Sequence, residues 1–138
     1  PWRTQKRVRT LLDEWFRNDL MGLPGDEDGG GMSAFVVFSM LGFYPITPGL
    51  PIYVIGTPMF ERAVIETGAG KSFEVIAHNY SPTNKYIQSA KLNGKDWNQS
   101  WFEPKGMMNG GKLEFTMGNT PNKHWAADSV PPSFEMNK

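Results

Sequence analysis

The chain has no cysteine. That excludes a disulfide framework, thiolate catalysis and cysteine-ligated zinc. Its two histidines, His78 and His124, stand far apart without metal-ligand spacing, and a Ser-His-Asp arrangement cannot be read from them. No charge of either sign is in excess, with 14 Lys+Arg against 14 Asp+Glu. Bulk electrostatics therefore does not recruit a nucleic-acid partner or an anionic membrane surface. No apolar run approaches the roughly 20 residues of a membrane span. The first residues, Pro1-Trp2-Arg3-Thr4-Gln5-Lys6-Arg7, are basic and aromatic, without the apolar segment of a signal peptide. Internal repeats are also missing.

Glycine, proline and aromatic residues are abundant: Gly 15, Pro 11 and 13% aromatics. Such chains are rich in turns and strands, or line grooves that bind rings and sugars. A length of 138 residues with 39% hydrophobic content suits one ordinary domain.

The periodicity predicts a helix from Thr4 to about Leu20. Val8, Leu11, Leu12, Trp15 and Phe16 follow helical spacing, and Arg and Lys take the other face. Gly22-Leu23-Pro24-Gly25 supplies the stop. A second helix is predicted from Met32 to Phe43, and it contains no charged residue. A helix apolar on every side is buried on every side. Two helices cannot do that for one another, so the chain is expected to be a piece of a larger protein whose helical assembly surrounds this segment.

Pro45, Pro48 and Pro51 then mark a boundary, after which the pattern turns to strands. Tyr53–Ile55 is short and β-branched. Arg62–Glu66 and Ser72–Ala77 flank the Gly68-Ala69-Gly70 turn as a hairpin. Tyr86–Leu92 ends at Asn93-Gly94, a two-residue hairpin signal. Leu113, Phe115 and Met117 alternate with polar residues as in a half-buried strand. Residues 119–138 read as coil draped over a neighbour. The expected fold class is an α+β fragment with an antiparallel β-rich segment. The expected organisation is a helical part at 1–44, a β-rich part at 45–125 and a coil tail at 126–138.

Between the two helices lies Gly25-Asp26-Glu27-Asp28-Gly29-Gly30-Gly31. Adjacent carboxylates repel, and a cluster of them calls for a compensating proton, metal or cation. Three readings are open. The loop could ligate a hard cation through carboxylate oxygens. It could supply a general base or nucleophile. Or it could be a solvated turn that caps the second helix. It matches neither an EF-hand nor a P-loop, lacking the later acids of the one and the Lys-Ser/Thr of the other. Trp97, Trp101 and Trp125 sit in loop contexts where they could stack on sugars or pack against another domain. Trp15, Phe16, Phe35, Phe38, Phe43 and Tyr44 read as core.

Taken in order, Pro1-Trp2-Arg3-Thr4-Gln5, "GLPGDEDGG", "MSAFVVFSMLGFYPITPG", "YVIGTPMFERAVI", "YIQSAKLNGK" and "MNGGKLEFTMGNTPN" resemble the carboxy-terminal part of a glycoside hydrolase family 92 α-mannosidase. The resemblance runs from Pro1 to about Trp125. It implies an exo-acting, inverting enzyme that releases terminal α-linked mannose from glycans, including N-glycans, and depends on calcium. It also implies that the two helices are the last of an (α/α)6 barrel, and that an upstream β-sandwich and the rest of the barrel complete the active site. By the same resemblance, Asp28 is the general base and Asp26 its partner in positioning water. Glu27 points away or aids through hydrogen bonds. Many family members carry Asn where this chain has Asp26, which makes Asp28 the firmer assignment. The general acid and most calcium and mannose ligands would lie upstream of Pro1, leaving the chain alone inactive. An exported location, periplasmic, cell-surface or extracellular, follows from the family. The competing expectation is a non-catalytic carbohydrate-binding module acting through Trp97, Trp101 or Trp125, or a structural interaction module acting through Phe35–Phe38.

Overall fold

The structure, a computed structural model, describes residues 1–134. The first helix, α1, spans Trp2–Trp15. It stops short of the expected Leu20 because Phe16 turns extended, at φ −111° and ψ 132°. The chain then closes a tight loop: Gly22 N–H donates to the Asp19 carbonyl and Arg17 N–H to the Gly22 carbonyl, each at 3.0 Å. A Cβ at Gly22 would collide with the Arg17 carbonyl oxygen, so only glycine fits there.

The second helix, α2, spans Gly31–Leu41. Gly42 ends it in the left-handed region at φ 91°, its N–H bonding the carbonyls of Phe38 and Ser39. The helix was expected to reach Phe43. Phe43–Tyr44 instead form a strand, β1, because the left-handed glycine redirects the chain.

Seven further strands follow: β2 at Tyr53–Ile55, β3 at Arg62–Gly68, β4 at Lys71–His78, β5 at Tyr86–Leu92, β6 at Lys95–Asp96, β7 at Trp101–Phe102 and β8 at Gly111–Gly118. A single turn of helix, α3, occupies Lys105–Met108. The short β1, β6, β7 and α3 carry too few residues for a sequence period, and only the longer elements were anticipated. Both two-residue turns, Ala69-Gly70 and Asn93-Gly94, have positive φ at each position, the geometry that suits hairpin twist.

The strands form two sheets, one in the order β1-β2-β7 and one in the order β3-β4-β8-β5-β6. All pairings are antiparallel except that of β4 with β8, where Phe73 to His78 run parallel to Gly111 to Thr116. The expectation of an antiparallel segment is corrected at this centre. Long connections separate β4 from β8, so their direction is not dictated by a hairpin.

Alternation along the central strands builds the core. Phe73, Val75 and Ala77 on β4 face inward beside Leu113, Phe115 and Met117 on β8. Phe73 stacks on Phe102 at 6.1 Å, and Phe102 meets Phe43 edge-on at 5.4 Å, which joins the large sheet to the small one. Phe38 of α2 packs against Phe43 and Tyr53. Residues 119–134 form no helix or strand, yet they are anchored. Trp125 and Ala126 are buried, and Ser129 Oγ accepts the Ser100 N–H at 2.9 Å.

The contacts of α1 mix polar and apolar groups. Its buried residues are Gln5, Arg9 and Leu12. Gln5 is 1% exposed and its Oε1 accepts the Ile87 N–H; Arg9 is 3% exposed and its Nη1 donates to the Pro58 carbonyl at 3.1 Å. The apolar stripe is divided: Leu12 is buried and Val8 and Phe16 are half-buried, while Trp15 is 60% exposed and Leu11 43% exposed.

Candidate active site

The acidic loop connects α1 to α2 through a backbone that mostly requires glycine. Gly25, Gly29 and Gly30 have φ of 93°, 63° and 93°, and Asp28 sits among them at φ 55°. Asp tolerates this left-handed region better than most residues, and such backbone strain persists only where its surroundings hold it.

Those surroundings are the first turn of α2. A helix begins with N–H groups that no preceding turn can satisfy. In α2 the first three are Gly31, Met32 and Ser33. Gly31 N–H donates to the Asp28 carbonyl at 3.2 Å and Met32 N–H to the Glu27 carbonyl at 3.2 Å. Ser33 N–H donates to Glu27 Oε1 at 3.0 Å. The first bond within the helix proper is Ala34 N–H to the Gly30 carbonyl. The cap is thus supplied by Glu27 and Asp28, while Gly30, at the cap position itself, has no side chain to offer.

The three acids consequently part company. Glu27 is half-buried and bound to the helix, with its Oε2 shielded from solvent. Asp26 and Asp28 are exposed, and neither carboxylate accepts a hydrogen bond from a described residue. The two expected site residues share one loop. Glu27, expected to point away or to aid through hydrogen bonds, bonds the start of α2. Of the three readings that the sequence left open for the loop, capping of the second helix is the one that Glu27 fulfils.

Among the described residues, no three His, Asp or Glu side chains converge so as to hold a metal ion. The acids among the described residues therefore do not by themselves make up the oxygen cage that calcium takes.

The surroundings of the loop are apolar. A cleft of about 410 Å³ runs between the α1 end and α2, lined by Leu12, Phe16, Leu23, Val36, Val37 and Met40 among others. Only Ser39 of α2 is buried, and Val37 is 57% exposed. The uncharged helix finds within this chain a fraction of the cover that its composition calls for.

Of the two roles open to the tryptophans, sugar stacking or packing, packing within this chain engages Trp97 and Trp125. Trp125 is buried and its Nε1 donates to the Trp97 carbonyl; Trp97 Nε1 donates to the Trp101 carbonyl. Trp101 and Trp125 border an open polar groove of about 720 Å³ that includes Asn98, Gln99 and His124. His78 ends β4, exposed, with Nε2 3.4 Å from Glu114 Oε1. No catalytic grouping forms around either histidine.

Comparison with known proteins decides the family. Residues 1–119 match the glycosyl hydrolase family 92 catalytic domain. The chain belongs to glycosyl hydrolase family 92. It is 38% identical to a solved family 92 α-mannosidase of Bacteroides thetaiotaomicron in complex with mannoimidazole, superposing with a TM-score of 0.91 over 99% of this chain. It is 36% identical to a second solved protein of that bacterium, an inverting family 92 mannosidase, with a TM-score of 0.85 over 94% of this chain. A secreted glycosidase of Arthroderma benhamiae is 36% identical over 97% of this chain. In each of these three relatives the chain spans 18% of the relative's own length. The α+β arrangement of this chain, with its mostly antiparallel sheets, is therefore a recurring part of family 92 mannosidases.

Proposed function

We propose that this chain is the carboxy-terminal part of an inverting exo-α-mannosidase and that it supplies the general base. The observation that carries the reading is the acidic loop, in which two exposed aspartates ride on a backbone pinned to the start of a largely uncovered apolar helix. Asp28 is the base and Asp26 its partner in orienting water.

Inversion requires a carboxylate that takes a proton from water while the water attacks the anomeric carbon on the face opposite the leaving group. A second carboxylic acid protonates the departing oxygen, standing roughly 6.5–9.5 Å from the base to admit that water. The leading edge of a rigid turn suits the base, because the water must be aimed as well as deprotonated. The acid comes from upstream polypeptide, together with the remaining barrel helices that cover Leu11, Trp15 and Val37 and an upstream β-sandwich. The calcium that the family resemblance implies would draw most of its ligands there too, since no such set forms among the described residues. The substrate is a terminal α-linked mannose of a glycan. The whole protein works outside the cytoplasm, a reading supported by the secreted fungal relative. The chain by itself is inactive.

The test is Asp28→Asn in the full-length protein, assayed on an α-mannoside with the product anomer followed by NMR. Loss of a general base lowers kcat by about 10²–10⁴-fold, with KM little changed and β-mannose released first by the parent enzyme. If Asp28→Asn kept its kcat while Asp26→Asn abolished it, the two aspartates would exchange roles. If neither mattered, the reading would fall.

A further inference from the structure

We infer that Glu27 is a positioning residue for the reaction, a clamp that holds the backbone of Asp28 in its left-handed turn. This rests on the reading of Asp28 as the general base. Glu27 acts twice on α2. Its carbonyl takes the Met32 N–H and its Oε1 takes the Ser33 N–H. Both bonds reach over the glycines that separate the acids from the helix, and between their two ends lies Asp28 at φ 55°.

The glycines make such a clamp necessary. Gly29, Gly30 and Gly31 offer the chain more conformations than any other three residues could. Among the described residues, none meets a neighbouring atom where a side chain would be, so packing within them does not confine the turn. Its order among these residues comes from hydrogen bonds, and the sole side-chain bond there is that of Glu27 to Ser33. A carboxylate accepting a backbone N–H makes one of the stronger bonds available to a loop. Its Oε2 is shielded and unbonded among the described residues, which turns the group toward the loop and away from solvent. Glu27 therefore acts through the placement of Asp28.

The experiment uses the full-length enzyme with Glu27→Ala, Glu27→Gln and, alongside, Asp28→Asn. A misplacement of about 1 Å at a reacting group can cost on the order of 10²-fold in rate. Glu27→Ala is therefore expected to lower kcat by roughly ten- to a hundredfold with KM nearly constant. Glu27→Gln keeps an oxygen for the Ser33 N–H and is expected to restore kcat to within a few-fold, with the acid limb of the pH profile in place. A merely structural role would not give that split or that rescue. Glu27→Ala with unchanged kcat overturns the clamp. So does Glu27→Gln as poor as Glu27→Ala, because the negative charge would then be the essential property. Should Glu27→Ala not fold, Glu27→Gln decides alone: near-parental kcat supports the clamp and its loss overturns it. Full activity in Asp28→Asn removes the base and the clamp together, whereas an inactive Asp28→Asn beside a fully active Glu27→Ala removes the clamp only.

Discussion

Helix α1 is held to the β-rich body by polar groups, and Gln5→Met tests that directly. The substitution nearly conserves volume and keeps an unbranched, helix-compatible side chain. It removes the acceptor for the Ile87 N–H, which lies 3.2 Å from Gln5 Oε1 beside the irregularity in β5 between Ile87 and Ser89. With Gln5 1% exposed, water does not take the acceptor's place. A buried donor left unmade costs about 1–3 kcal/mol, and a thioether that packs equally well returns little of it. Destabilisation of about 2 kcal/mol is expected, which corresponds to a factor of roughly 30 in an equilibrium constant. The assay is native-state hydrogen exchange on the full-length protein, followed at the α1 amides. Exchange should accelerate about thirtyfold across α1 while the amides of β4 and β8 keep their rates. Leu11→Ser, on the outward stripe, reports the other face and should also loosen α1 if upstream helices cover it. Unchanged α1 exchange in Gln5→Met would refute the polar docking and leave the outward stripe as the sole anchor.

Two other perturbations probe the body of the fold. Phe102 is fully buried and touches Phe43, Tyr53 and Phe73 where the two sheets meet. Phe102→Ala should cost about 3–5 kcal/mol, read as a fall in the unfolding midpoint at unchanged m-value. On the outer face of the β3–β4 hairpin, the Arg62 hydrogen bond holds the Glu74 carboxyl below its ordinary range. A carboxyl depressed in the folded state contributes stability above its unfolded pKa, and that contribution is lost as pH falls through the folded value. Arg62→Ala should return the Glu74 titration, followed by NMR, to the usual carboxylate range and remove this acid-side dependence.

What was legible in the sequence follows a physical line. The strands from β3 to β5 and β8 were readable because each is long enough to show alternation, and because Ala69-Gly70 and Asn93-Gly94 announce their turns through residues that accept positive φ. The parallel pairing of β4 with β8 was not, since it depends on which strands meet across long connections, and alternation carries no direction. The docking of α1 was legible in part for a related reason. Periodicity finds the apolar stripe, of which Leu12 is buried while Leu11 and Trp15 stay open. Gln5 and Arg9 are buried beside it through bonds to Ile87 and Pro58 that no local pattern contains. The same logic explains the site. Clustered acids were visible at once, but their division of labour depends on where each side chain points after the Gly29–Gly31 turn. Only Glu27 can reach the Ser33 N–H and still leave Asp26 and Asp28 outside. An apolar helix that its own chain leaves uncovered and an acid loop built at its first turn thus have one source. Under the proposed function, both lie at the rim of a larger structure, with the open faces covered by neighbouring helices and the aspartates facing what those helices enclose.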